Sequence, residues 1–185
     1  MTVTALDRKT ALIVIDLQKG VVGFPTAHPI GGVLAATTVL TAAFRRRGLP
    51  VVLVNATGLA PGRTERKRSL EGLSADSADL VPELNAQPSD LLVTKKTWGA
   101  FTNTDLEARL KALGVTQVVL AGVATSFGVE STARHAHELG FNVTLALDAM
   151  TDFSPEAHDN SVARIFPRLG ETGSAREIVD LLARA

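Results

Sequence analysis

The chain has 185 residues, 45% apolar and 21% charged, with 19 basic and 19 acidic side chains and a formal net charge of +0. That length suits a single domain over 1–185, burying about 70% of the surface its unfolded chain exposes. The charge balance argues against nucleic acid or an anionic membrane as the main partner and leaves a small-molecule ligand. The basic runs Arg45-Arg46-Arg47 and Arg66-Lys67-Arg68 are short and read as a solvated helix end and a solvated loop. No apolar run approaches the roughly 20 residues that span a bilayer. The opening Met1-Thr2-Val3-Thr4-Ala5-Leu6-Asp7-Arg8 lacks the layout of a signal peptide. The chain contains no cysteine, so disulfides and thiolate metal sites are excluded. The setting this suits is cytoplasmic.

Taken in chain order, short apolar runs alternate with helical patterns. Residues 10–16, Thr-Ala-Leu-Ile-Val-Ile-Asp, form a continuous apolar strand ending on a carboxylate. A helix is predicted over 33–47, stopped by Gly48, and a second strand over 51–55. The stretch 56–80 is the one long irregular segment, and loops of that length tend to be functional. A third strand covers 90–94, a helix 104–113 and a fourth strand 117–121. A helix then runs from about 127 to 139, stopped by Gly140, and a fifth strand covers 142–147. Helices over 155–165 and 175–183 flank a short sixth strand near 168–172. Strands apolar on both faces, separated by amphipathic helices, define an α/β class: a three-layer, doubly wound, Rossmann-like parallel sheet.

Right-handed crossovers and the order 3-2-1-4-5-6 make strands 1 and 4 neighbours at the point where the winding reverses. Ligands of such sheets bind outside the carboxyl ends of the strands flanking that point. Asp16 ends strand 1, the turn from Gly122 follows strand 4, and Lys95 and Lys96 leave strand 3 on the same rim. Alternation sends the two lysines to opposite faces. Asp16-Leu17-Gln18-Lys19-Gly20 does not fit a glycine-rich phosphate loop, which disfavours a dinucleotide, and no cofactor is expected. Trp98, the sole tryptophan, is a candidate pocket wall. Gln18 is a candidate to orient Asp16 or touch substrate. His28, His135, His137 and His158 show no metal-ligand spacing, since His135 and His137 leave a helix on different faces. His28 and Arg63 lie in loops near the expected mouth. Arg134, Asp148 and Asp152 read as structural or rim charges.

Three stretches carry a resemblance: Ile13-Val14-Ile15-Asp16-Leu17-Gln18, Thr94-Lys95-Lys96-Thr97-Trp98-Gly99-Ala100-Phe101, and the turn running from Gly122 to Ala136. Together they resemble the isochorismatase-like cysteine hydrolases, over nearly the whole chain. The resemblance implies that Asp16 is the proton-transfer acid and, counting back from Phe101, that Lys95 is the catalytic lysine. It places the family's nucleophilic cysteine at Gly128, which has no side chain to attack with. It also implies a cis Val123–Ala124 peptide and an oxyanion-binding turn built from backbone around Phe127, Gly128 and Val129. Thr125 and Ser126 are candidate helix caps, with Thr125 also a candidate substrate contact. Ser126 is a poor substitute nucleophile, two residues early.

Glycine at this position resembles the true isochorismatases, which cleave a vinyl ether rather than an amide, although the local Ser126-Phe127-Gly128-Val129-Glu130-Ser131 departs from their turn. Where the family's nicotinamidases carry an Asp-x-His metal site, this chain has Asn55-Ala56-Thr57-Gly58, so no metal is expected. The resemblance further implies a homo-oligomer. The expected activity is non-thiol hydrolysis of a small molecule, with a catalytically silent metabolite-binding or assembly subunit as the alternative.

Overall fold

A computed structural model of the chain describes residues 3–65, 72 and 74–184. Arg66-Lys67-Arg68 lie outside the described residues. Six strands form one sheet: β1 Thr10–Ile15, β2 Val51–Ala56, β3 Leu91–Lys95, β4 Gln117–Val123, β5 Asn142–Thr151 and β6 Glu171–Gly173. Their order is β3-β2-β1-β4-β5-β6, and every pairing is parallel. This is the predicted doubly wound sheet. The helices are α1 Lys19–Val22, α2 Ile30–Arg46, α3 Leu106–Ala112, α4 Glu130–Glu138, α5 Pro155–Asn160 and α6 Ala175–Arg184.

Side chains leaving alternate faces of β1 enter two separate cores. Leu12 and Val14 pack with Leu40 and Phe44 of α2 and Ile178 and Leu182 of α6. Ala11, Ile13 and Ile15 pack with Leu106 and Leu110 of α3 and Ala133 and Ala136 of α4. All six β1 residues and all seven of β4 are buried, as expected for central strands covered on both faces. The site is therefore suspended from the most rigid part of the molecule.

The departures from the predicted elements have local causes. Helix α2 starts at Ile30, directly after Pro29, rather than at 33, because Gly31 and Gly32 are tolerated within it. Strand β5 runs on to Thr151 past Asp148, whose carboxylate accepts the Ala175 amide at 2.7 Å; its register against β4 shifts between Leu120 and Gly122. Strand β6 begins at Glu171 because Phe166–Arg168, with a proline inside it, winds a 3₁₀ turn. The helix predicted over 155–165 is α5 followed by a π turn over Ser161–Ile165. The short α1 was not anticipated. Among the described residues no helix is long and apolar enough to cross a membrane.

Gly122 fixes how β4 leaves the sheet. Its φ is +119°, and a Cβ there would stand 2.0 Å from the Ile15 carbonyl oxygen. Only glycine allows β4 to hug β1 so closely at its carboxyl end. The chain then turns directly over Asp16.

Candidate active site

Asp16 follows the last residue of β1 and adopts φ +51°, with its amide bonded to the Val54 carbonyl at 2.9 Å. A positive φ is uncommon outside glycine and marks the point where the chain leaves the extended strand conformation. Lys95 is the last residue of β3, in register with Ala56 of β2. Its side chain is buried, whereas that of Lys96 is exposed, which is the split that alternation predicted. Although β2 intervenes between their strands, the long lysine stem brings Nζ to 2.7 Å from Asp16 Oδ2. A second Lys95 hydrogen bond goes to the Thr97 carbonyl at 3.1 Å.

The pair is almost out of water, with side-chain exposures of 2% for Lys95 and 12% for Asp16. Burial pushes the Asp16 carboxyl above its ordinary value, outweighing the lowering by the Lys95 ammonium and its hydrogen bond. Asp16 Oδ1 is the one buried side-chain polar atom among the described residues with no hydrogen-bond partner. An ionised carboxylate with one oxygen both unpartnered and dry is costly, and protonation removes that charge.

The turn after β4 carries a cis Val123–Ala124 peptide. Residues Thr125–Val129 form a π turn that opens α4, so the helix predicted from 127 is entered two residues earlier and more loosely wound. Gly128 is buried in this turn. A Cβ built on it would meet Ile15 Cγ2 at 2.9 Å, Asp16 Oδ2 at 3.4 Å and the Trp98 carbonyl at 3.5 Å. Position 128 thus faces Asp16, and the space a side chain would take is occupied by the Ile15 methyl.

Three expectations for the turn are corrected. The Phe127 and Val129 amides both donate to the Ala124 carbonyl, at 3.1 and 3.2 Å, so these two of the three expected oxyanion donors close the turn instead. Neither Thr125 nor Ser126 caps the helix; the N-cap residue is Ala124, with no side-chain cap. Thr125 is fully buried, its hydroxyl bonds His158 Nδ1 at 2.9 Å, and it is not among the residues that line the cavity at Asp16. The Ser126 amide instead donates to Asp152 Oδ2 at 2.6 Å. Asp152 also accepts the Phe153 and Ser154 amides at 2.7 and 3.3 Å, which makes it the tie that holds the turn to the end of β5. His28 stands 4.5 Å from the His158 ring behind the turn, not at the mouth. Burial, then the neighbouring His28, hold the His158 imidazole below its usual range.

Asp16, Lys95, Gln18, Trp98, Val123, Ala124, Phe127 and Gly128 all line one cavity of about 860 Å³. Gln18 does not orient Asp16. Its amide is locked to backbone instead, donating to the Ala56 and Ser77 carbonyls at 3.0 and 3.1 Å and accepting the Ala56 amide at 2.7 Å. Asn55, in the stretch that replaces a metal motif, donates to the Ala78 carbonyl at 2.8 Å. Both side chains tie the long loop to the sheet. Trp98 and Phe127 meet edge to face at 4.9 Å across one wall, and Phe24 and Phe153 do so at 6.2 Å. Sequence reasoning missed Phe24 and Phe153 as wall residues. Phe153 was within reach of it, since it leaves a strand next to the reversal point on the carboxyl side; Phe24 lies in a segment with no periodic signal.

A buried acid–amine pair beneath a cis turn, at the carboxyl ends of β1, β3 and β4, defines a class of hydrolase. The Isochorismatase domain family matches residues 10–177, and the chain belongs to that family. It is 40% identical over 184 residues to the uncharacterised isochorismatase family protein YecD of Escherichia coli O157:H7, covering 95% of this chain and 97% of YecD. It is 32% identical to the ureidoacrylate amidohydrolase RutB of Pseudomonas syringae pv. syringae, over 80% of this chain and 73% of that one. The structure of an isochorismatase family protein from Burkholderia thailandensis superposes with a TM-score of 0.93 at 39% identity, covering 97% of this chain and 98% of the other.

Proposed function

We propose that this protein hydrolyses a small-molecule metabolite without a covalent thiol intermediate, by acid-catalysed cleavage of an enolpyruvyl (vinyl) ether, with Asp16 as the general acid. The observation that carries the reading is a carboxyl group raised above its ordinary range by burial and facing a residue with no side chain at the nucleophile position. Such a site is suited to giving a proton and unsuited to covalent attack. The amidohydrolase relative supports hydrolysis as the general activity; the glycine and the absence of any cysteine are why ether rather than amide cleavage is proposed.

In the proposed sequence the Asp16 carboxyl protonates the methylene carbon of the enolpyruvyl group, and the electron pair of its double bond forms the new C–H bond. Water adds to the resulting oxocarbenium carbon and loses a proton to the Asp16 carboxylate. The hemiketal then collapses: its hydroxyl proton is lost, the bond between the hemiketal carbon and the ether oxygen breaks, and that departing oxygen takes up a proton, so that pyruvate and the alcohol are released. Lys95 binds the substrate carboxylate. That negative charge offsets the ammonium's tendency to ionise Asp16, which keeps the acid form available.

The test is pyruvate release from a panel of enolpyruvyl ethers that includes isochorismate, with wild type and Asp16→Asn compared. Wild-type turnover lost in the variant is expected. Full activity in Asp16→Asn overturns the assignment of the acid, and binding without turnover across the panel makes the protein a metabolite-binding subunit instead.

A further inference from the structure

The charges and surfaces of the cavity restrict its occupant beyond the reaction class. Among the described residues lining it, Asp16 and Lys95 are the only charged side chains, and they are bonded to each other at 2.7 Å. The remaining polar side-chain groups among the described lining residues are hydroxyls, the Trp98 indole N–H and the amide of Gln18, which is already committed to the backbone. Above this floor the walls are aromatic. Trp98 with Phe127 and Phe24 with Phe153 form two edge-to-face pairs, and Phe24, Phe153 and Trp98 keep 54%, 46% and 44% of their surface exposed. Exposed large apolar surface gathered around one cavity marks a place where a ligand supplies the missing contact. Flat rings are the complement of such walls.

When Asp16 carries its proton, the floor holds one net positive charge, enough to balance one carboxylate. A second carboxylate on the same ligand would lie against aromatic walls, with no cation among the described lining residues to pair with it. We propose that the substrate is a monoanion, with its single carboxylate at Lys95 beside the reacting carbon and an uncharged, flat, apolar body held between the two aromatic pairs. This rests on the assignment of Asp16 and Lys95 as the reacting centre. It selects, within the enolpyruvyl ethers, those whose alcohol half carries no charge; isochorismate, with two carboxylates, falls outside the preferred class.

Trp98 is the only tryptophan and stands in the cavity wall, so its fluorescence reports occupancy directly. Titrating the protein with 2-phenoxyacrylate, a monoanion, and with its 3-carboxyphenyl counterpart, a dianion, should quench Trp98 in both cases. The dianion is expected to bind at least about tenfold more weakly. The double variant Phe24→Ala/Phe153→Ala alters only exposed side chains and should fold; it should weaken 2-phenoxyacrylate by about tenfold. Equal or tighter binding of the dianion overturns the charge assignment, and an unchanged Kd in the double variant overturns the aromatic one. Pyruvate release is measured separately: selective binding of the monoanion with no turnover removes the hydrolytic reading and leaves the ligand class standing.

Discussion

Introducing a thiol at position 128 is the perturbation whose outcome the geometry fixes most closely. A side chain there places its Cβ 2.9 Å from Ile15 Cγ2, about 1 Å inside ordinary carbon–carbon contact. Ile15 is fully buried in the middle of the sheet, and its methyl sits on a branched carbon that rotates little, so the clash is not relieved by a flexible tip. Overpacking of this kind costs about 1–3 kcal/mol. Replacing glycine by cysteine in a helical turn returns only about 0.3 kcal/mol, because cysteine is itself a poor helix former. Gly128→Cys is therefore expected to be destabilised by at least about 1 kcal/mol net, a Tm fall of at least about 2–4 °C for a chain of this size. Ile15→Ala alone should cost about 2–5 kcal/mol by leaving a cavity, but the added cysteine fills part of that space. The two substitutions in combination should then cost less than their sum by about 1–2 kcal/mol. Urea unfolding of the four proteins in the cycle, with m-values compared, measures this. A single Gly128→Cys variant as stable as wild type, or strict additivity in the cycle, refutes the steric closure of position 128. So does amidase activity arising in Gly128→Cys without Ile15→Ala.

Other expectations follow from the same floor and its supports. Since burial raises the Asp16 carboxyl above its unfolded value of 3.8, the folded state binds the extra proton, and stability declines as pH rises from about 4 through the folded pKa; Asp16→Asn should lack that decline when ΔG of unfolding is followed across the acid range. For the same reason kcat/KM should be high on the acid side and fall as pH passes the folded pKa, the sign expected of a general acid; a rate that climbs with pH over that window rejects the role. Lys95→Met removes the charge that holds Asp16 down, so the falling limb should move to higher pH while KM for a carboxylate substrate rises about tenfold or more. Asp152→Ala leaves three amides without their acceptor and should cost about 1–3 kcal/mol, read as a Tm fall.

Sheet order, strand positions and the meeting of Asp16 with Lys95 were legible because they depend on strong periodic signals. Continuous apolar runs placed β1 and β4, and two-residue alternation separated Lys95 from Lys96 before any contact was known. The turn was harder. Its serine and threonine look like caps, yet the hydroxyl of Thr125 goes to His158, a residue 33 positions further on, and no local pattern announces that partner. The same holds for Gln18, whose amide is claimed by Ala56 and Ser77. The glycine at 128 was visible, but the methyl that occupies its side-chain space comes from Ile15 on another element, and sequence order gives no measure of that distance. Where the physics was local the reading was right, and where hydrogen bonds joined distant segments it went astray.

The clamp at the foot of the 56–80 segment has a consequence for how such a molecule can diversify. Gln18 and Asn55 grip the segment where it leaves the sheet and where it returns, at Ala56, Ser77 and Ala78, and Leu80 bridges back to Gln18. Between those anchor points the Thr57 amide donates to the Lys95 carbonyl at 3.0 Å, so an exchange that leaves the amine below in place has to begin beyond Thr57. Grafting a different stretch that keeps Thr57 and both anchors should retune which molecules are admitted while the Asp16–Lys95 pair stays as it is.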